Sequence, residues 1–342
     1  LALVIMETLS DFGAVEHFAI ATFTTGIFRT WYGMYDLNTA MQLASLLLIF
    51  VTIFLVFERL SRKKAAFVSS NSLYKKHKVM KLKGSYSFFA MLFCLIPVFV
   101  GFILPIIELI NWTINYKLDF FNRDFLKSAF NSLLLALIAA FLCTMIAFLI
   151  NFTARYQGNK LLSFLSSTLM LGYAVPGLIL AIGITQLLTI IDNSFNLFTI
   201  DIVLTGSLIG LIIAYIIKSY ALSNSTIESG FQRISNSLDD ISKTLNISGI
   251  KLMYKIHFPL LRTGLLTSIL LVGSEVIKEL PATLILRPFN FETLAVSAYN
   301  YASEERMYEA AAPSIAIVIV GLLPIIILSR MIKNSRPGET LW

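Results

Sequence analysis

The chain has 342 residues, of which 57% are hydrophobic and 14% charged, against roughly 25% charged in a typical soluble domain. A soluble enzyme of this size lacks the residues here for its polar surface, and disorder is excluded by the same apolar excess. Lys and Arg outnumber Asp and Glu by 27 to 20, an excess that in a membrane chain reads first as a topology signal.

A helix crosses the hydrocarbon in about 20 residues. In chain order the apolar runs are 41–58, 88–110, 128–152, 161–190, 203–222, 262–282 and 310–329. Residues 1–12 read as the second half of a further span. The chain opens on Leu1 within an apolar stretch that has no basic n-region, so a segment of a longer protein is expected, and no signal peptide. Cys94 and Cys143 both sit in apolar runs, which does not suggest a disulfide scaffold.

The loops set the expected orientation. Segment 59–86 carries Arg59, Arg62, Lys63, Lys64, Lys75, Lys76, Lys78, Lys81 and Lys83 with no acid. It reads as a basic, lipid-facing cytoplasmic linker in preference to a nucleic-acid or calmodulin-type patch. Loops 153–160 and 223–261 and the C-terminus are also basic on balance. Loops 111–127 and 191–202 are neutral or acidic, and 287–309 is acidic. The alternation places the C-terminus in the cytoplasm.

Laid on 269–330 without a gap, residues 1–62 match at about a dozen positions, among them Glu7 on Glu275, Thr25 on Thr293 and Leu60-Ser61-Arg62 on Leu328-Ser329-Arg330. Asp11 falls on Glu279 and Trp31 on Tyr299. Both copies run in the same direction, which predicts halves related by an axis along the membrane normal. The expected organisation is a C-terminal remnant of a first half (1–58), the basic linker (59–86) and a complete second half (87–335, core about 126–330).

The long loop SNSLDDISKTLNISGIKLMYKIHFPLL (235–261) is the most informative segment. Ser237-x-x-Asp240 has capping-box form, Leu238, Ile241 and Leu245 share a helical face, and Asn246 suits a left-handed turn. Ser248-Gly249 opens a second amphipathic stretch that Pro259 is expected to end. The segment reads as an interfacial helix or as a helix–turn–helix that docks into a partner.

These residues carry a resemblance. The loop resembles the EAA motif of ABC-importer permeases: Glu-Ala-Ala, three residues, Gly, nine residues, Ile-x-Leu-Pro. The register here is Asp240-Ile241-Ser242, Asn246, then Ile256-His257-Phe258-Pro259. KELPATLILRP (278–288), SDFGAVEHF (10–18) and LGYAVPGLILAIG (171–183) are similar to the ferric-iron branch, with thiamine, polyamine and sulfate permeases as near relatives. The resemblance implies an all-α polytopic membrane protein of the type I ABC-importer permease fold in a bacterial inner membrane. It implies an ATPase-coupling loop formed by Leu238, Asp239, Asp240, Ile241, Ser242, Leu245, Asn246, Gly249, Ile256 and Pro259. The implied partners are a cytoplasmic ABC ATPase dimer and a periplasmic substrate-binding protein, besides the lipid bilayer and without nucleic acid. ATP would be used by the partner subunit, since the chain itself has no G-x-x-x-x-G-K-[ST] loop and no catalytic motif. No cofactor is expected to bind this chain.

Candidates for the translocation pathway are Glu7, Asp11, Glu275, Lys278 and Glu279, with the helix-breaking pair Pro176-Gly177. Ionisable groups in a membrane face the bundle interior or a polar mouth. Two roles stay open for them: an ion pair such as Glu275 with Lys278, or a ring of acids along a cation path. Ferric iron suits carboxylate and phenolate oxygen, and Tyr299, Tyr301 and Tyr308 could add oxygen. His17, His77 and His257 do not cluster in the sequence, and no metal cage is visible. Asn131 and Ser132 read as interhelical hydrogen-bonding groups. An ion-coupled secondary transporter is the competing class; it should show inverted repeats and no ATPase-docking loop.

Overall fold

The computed structural model describes residues 8–63, 83–116, 122–158, 160–197 and 203–334. Residues 8–10 are helical, and two short helices follow: α1 (Gly13–His17) and α2 (Phe23–Phe28, extended by a π turn Arg29–Gly33). The long helices α3 (Leu37–Lys63), α4 (Ser85–Asn115) and α5 (Arg123–Gln157) follow. Then come α6 (Lys160–Leu169, ending in a 3-10 turn Met170–Ala174), α7 (Gly177–Leu197) and α8 (Leu208–Gln232). The chain closes with α9 (Asn236–Thr244), α10 (Gly249–Ile277), α11 (Pro281–Leu286), α12 (Leu294–Ser303) and α13 (Met307–Asn334). Among the described residues seven helices are long and apolar enough to cross a membrane: α3, α4, α5, α7, α8, α10 and α13.

The core is built where α5, α8 and α10 meet. Ala136, Ala139, Ala140, Cys143 and Ala147 line one side of α5 and are buried. Lipid tails give no hydrophobic reason for helices to associate, so small residues that allow close approach hold such interfaces. Hydroxyls complete it. Ser268 Oγ lies 2.8 Å from Thr144 Oγ1 and 2.7 Å from Ser223 Oγ, linking all three helices. Asn131 donates to the Glu292 carbonyl at 2.9 Å, and Ser132 Oγ accepts from the Leu294 N–H at 2.7 Å. Both therefore act across elements as expected. By contrast α4 has no buried residue, as suits a helix turned to lipid.

The internal repeat is visible in the elements. α1, α2 and α3 have the same order as α11, α12 and α13: a short helix, a second one capped by threonine, then a long span. Thr22 Oγ1 accepts from the Thr25 N–H, and Thr293 Oγ1 accepts from the Val296 N–H. α3 packs on the rest of the bundle through Ala40, Ala44, Leu47 and Val51 against Ala174 and Ile182.

Several boundaries differ from those expected from the sequence. The run 161–190 is two helices, not one span. Pro176 removes a backbone donor and drives Val175 into an extended conformation (φ −79°, ψ 124°), as the residue before proline prefers. The span expected at 262–282 begins at Gly249 and ends at Ile277. Pro259 does not end a helix. It sits in the first turn of Phe258–Ile277, directly after a π turn Met253–His257 that carries the helix through. Ser237 is not an N-cap, because α9 already starts at Asn236. Asn246 does take the left-handed turn, with φ 59°. Glu7 and most of the basic linker lie outside the described residues.

Candidate functional site

Where α10 ends, the chain changes direction. Ile277 closes the helix, Lys278 and Glu279 follow, and Pro281 starts α11. Glu279 Oε1 accepts from the Ala282 N–H at 3.3 Å, and its carbonyl accepts from Thr283 Oγ1 at 2.6 Å. The second bond holds the backbone at the turn and the first holds the carboxylate. Its other oxygen, Oε2, receives Lys218 Nζ at 2.5 Å, with the two side chains 7% and 13% exposed. Lys218 lies ten residues into α8, about 15 Å along its axis.

The helix break on the facing side makes room for this pair. A Cβ on Gly177 would lie 2.5 Å from Glu279 Oε1 and 3.3 Å from Lys218 Nζ. Gly177 is therefore required by close approach, and Pro176, which breaks the helix, delivers it there. Just before it, the 3-10 turn runs so close to α8 that a Cβ on Gly172 would collide with the Ile217 carbonyl.

A cavity of about 600 Å³ opens beside the pair, lined among others by Asp11, Lys218, Glu275, Lys278 and Glu279. Three acids from both copies of the repeat thus reach one space. Glu275 pairs with Lys278 at 3.1 Å, with Glu275 16% exposed. The pair expected from the sequence, Glu275 with Lys278, is present, and Glu279 is paired with Lys218 instead. With all groups ionised the five add to −1, from three acids and two lysines. A second cavity of about 750 Å³ shares Gly13, Lys278 and Leu280 with the first and includes Glu16, Trp112 and Tyr299.

The tyrosines do not join the acids. Tyr299 packs on Phe12 and Phe28 and lines the second cavity, not the first. Tyr308 stacks on Tyr116, and Tyr301 lies under the Arg306 guanidinium. Among the described residues no three His, Cys, Asp or Glu side chains converge to hold a metal ion.

The opposite, basic end is organised around α9. Arg155, at the end of α5, donates to the Phe231, Ile234 and Ser235 carbonyls at 2.7, 3.0 and 3.2 Å. It thereby satisfies the carbonyls left open at the end of α8. Its Nε donates to Asp239 Oδ2 at 2.7 Å, and Asp239 Oδ1 lies 2.9 Å from His257 Nε2. Asp239 therefore turns inward and anchors α9 to α5 and α10. Ser242 is buried and donates to the Leu238 carbonyl at 2.7 Å. Leu238 is half-buried, whereas Asp240, Ile241, Leu245 and Asn246 are exposed. The apolar face is thus narrower than the sequence suggested: Ile241 and Leu245 present it, Leu238 only in part. Gly249 and Ile256 are only partly exposed, and Pro259 is exposed on α10.

Lys218 and Arg155 were not among the site candidates of the sequence, and His257 stood inside the loop motif without a role of its own. A lone lysine inside the apolar run 203–222 was itself the signal, since such a group needs a partner. Nothing in the sequence identified that partner as Glu279, 61 residues away.

Residues 148–339 match the family described as binding-protein-dependent transport system inner membrane component. The chain is 25% identical over 341 residues to the Fe(3+)-transport system permease protein FbpB 2 of Haemophilus influenzae, a match that covers 96% of this chain and 64% of that protein. It therefore spans less than two thirds of that relative. It is 26% identical over 223 residues to the putative 2-aminoethylphosphonate transport system permease protein PhnV of Salmonella typhimurium, covering 64% of this chain and 81% of the relative. Among solved structures, a bacterial alginate ABC transporter in complex with an alginate-bound periplasmic protein aligns with a TM-score of 0.53. That match has 15% identity and covers 73% of this chain and 94% of the other, a likeness of fold.

Proposed function

Because the chain belongs to the binding-protein-dependent transport system inner membrane component family, we propose that it is the membrane-spanning permease of an ATP-driven importer whose cargo is ferric iron. The cargo arrives from a periplasmic binding protein, and a separate ATPase dimer docks at the basic end. The observation that carries the cation reading is the convergence of Asp11, Glu275 and Glu279 on one cavity. Hard cations prefer oxygen donors, and an acidic cleft between low-dielectric walls raises the local concentration of a cation. Transit also requires release, so a cavity whose acids are partly offset by lysines suits a conduit better than a tight cage would.

Lys218 and Lys278 in the same cavity favour a second reading, a solute that carries an anionic group, as the name of the aminoethylphosphonate relative suggests. Uptake of labelled ferric iron, thiamine, a polyamine and 2-aminoethylphosphonate by cells expressing the complete transporter separates these readings. Ferric uptake is expected to exceed the others at least tenfold and to fall at least tenfold in the Asp11→Asn, Glu275→Gln variant. Preferential uptake of the phosphonate, unaffected by those substitutions, would replace iron with an anionic cargo.

In this reading the basic end, with α9 and the C-terminus, faces the cytoplasm and the 287–309 loop faces the periplasm. Cysteines are placed at Ser235 and Ser303 with Cys94 and Cys143 removed. An impermeant thiol reagent added outside intact cells should label Ser303→Cys and spare Ser235→Cys. Labelling of Ser235→Cys from outside would invert the orientation.

A further inference from the structure

We infer that Lys218 is a specificity-determining residue of the pathway, a tethered ammonium that occupies Glu279 until a multivalent hard cation displaces it. The inference rests on the cation-import reading above. An intramembrane lysine needs a partner, and a purely structural pair would be expected to be sealed in protein. This one borders a cavity of about 600 Å³ that also holds Asp11 and Glu275.

The two partners differ in freedom. Glu279 is held by the Ala282 N–H, and the Gly177 backbone leaves no space behind it. Lys218 carries its charge on a flexible four-carbon stem. Exchange therefore moves the lysine and leaves the carboxylate in place. The displaced ammonium stays protonated and turns towards Asp11 and Glu275 on the same wall, so no charge is left without a counter-charge.

Coulomb attraction scales with the product of the charges. A monovalent ion at Glu279 gains no more than the ammonium already there, and the tether keeps that ammonium at high effective concentration. A trivalent ion at the same distance interacts three times as strongly. The arrangement thus keeps potassium and sodium out of the passage and admits cargo of high charge density. When the cargo leaves, the lysine returns and closes the site behind it.

The test uses the complete importer, purified with its ATPase and reconstituted with its binding protein. In Lys218→Met, Glu279→Gln no charge is stranded, so the protein should insert at wild-type amounts. Its ferric uptake should nonetheless fall at least tenfold. Lys218→Met alone should retain ferric ion through gel filtration, read by mass spectrometry of the metal, whereas the wild type retains none. Wild-type uptake by the double variant would overturn the inference and leave the pair a structural one, as would the absence of retained cation in folded Lys218→Met. If Lys218→Met does not fold, the double variant decides alone. The same preparations are loaded with manganous and rubidium ions. Retention of manganese in place of iron would keep the displacement role of Lys218 and remove the ferric assignment; retention of rubidium by the wild type would remove the exclusion of monovalent ions.

Discussion

Substituting Gly177 by valine should abolish transport and reduce the amount of folded protein. Its first added carbon would lie 2.5 Å from Glu279 Oε1 and 3.3 Å from Lys218 Nζ. The neighbours have little room to yield, since Glu279 is bonded to the start of α11 and Lys218 emerges from a packed helix. Overpacking alone costs about 1–3 kcal/mol. Separating a buried ion pair adds about 3–5 kcal/mol when one charge is left without its partner. Gly183→Val provides the control, because that glycine, on the same helix, has open space where its Cβ would stand. Thermal stability in detergent and uptake in cells should both collapse for Gly177→Val and stay near wild type for Gly183→Val. Equal behaviour of the two would show that the close approach at Gly177 has no consequence.

The second large effect is expected at the basic end, where two neighbouring aspartates should fail in different ways. Asp239→Ala removes the carboxylate shared by Arg155 and His257. Hydrogen bonds to charged groups contribute about 1.5–3 kcal/mol each. Arg155 keeps its carbonyl partners, so the bundle should persist while α9 loses its anchor. Stability should drop and ATPase association should weaken with it. Asp240→Lys with Leu245→Asp changes only exposed side chains and reverses the charge and polarity of the outer face. Stability should be unchanged and co-purification with the ATPase lost. If the second variant co-purifies and transports normally, α9 is not the docking element.

These contrasts show what the sequence could and could not convey. Hydropathy located the spans because a membrane leaves little freedom in helix length. It missed the division of 161–190, although Pro176-Gly177 stood in view, since apolar composition continues across the break. It read Pro259 as a stop because a proline inside a helix usually is one; the π turn at Met253–His257 supplies the exception. The repeat put Asp11 and Glu279 at equivalent positions, and both do line one cavity. The pair of Glu275 with Lys278 was legible as neighbours three residues apart; the pair of Glu279 with Lys218 was not. Glu279 meets Lys218 and not Lys278, because Lys278 stands one residue past the helix end and reaches back to Glu275. Ion pairs between helices depend on rotation about each axis, which composition and spacing leave undetermined. For the same reason Asp239 and Asp240 looked alike in sequence, yet Asp239 turns inward to Arg155 and His257 while Asp240 is exposed.

The energy source for transport separates this account from a secondary transporter. Proteoliposomes holding the complete permease and its ATPase would be supplied with the iron-loaded binding protein, with ATP inside and no ion gradient. Uptake of labelled ferric iron should then require ATP, stop when the ATPase is omitted or its hydrolysis is blocked, and survive dissipation of proton and sodium gradients. Iron entry that persists without the ATPase and follows an imposed proton or sodium gradient would contradict it.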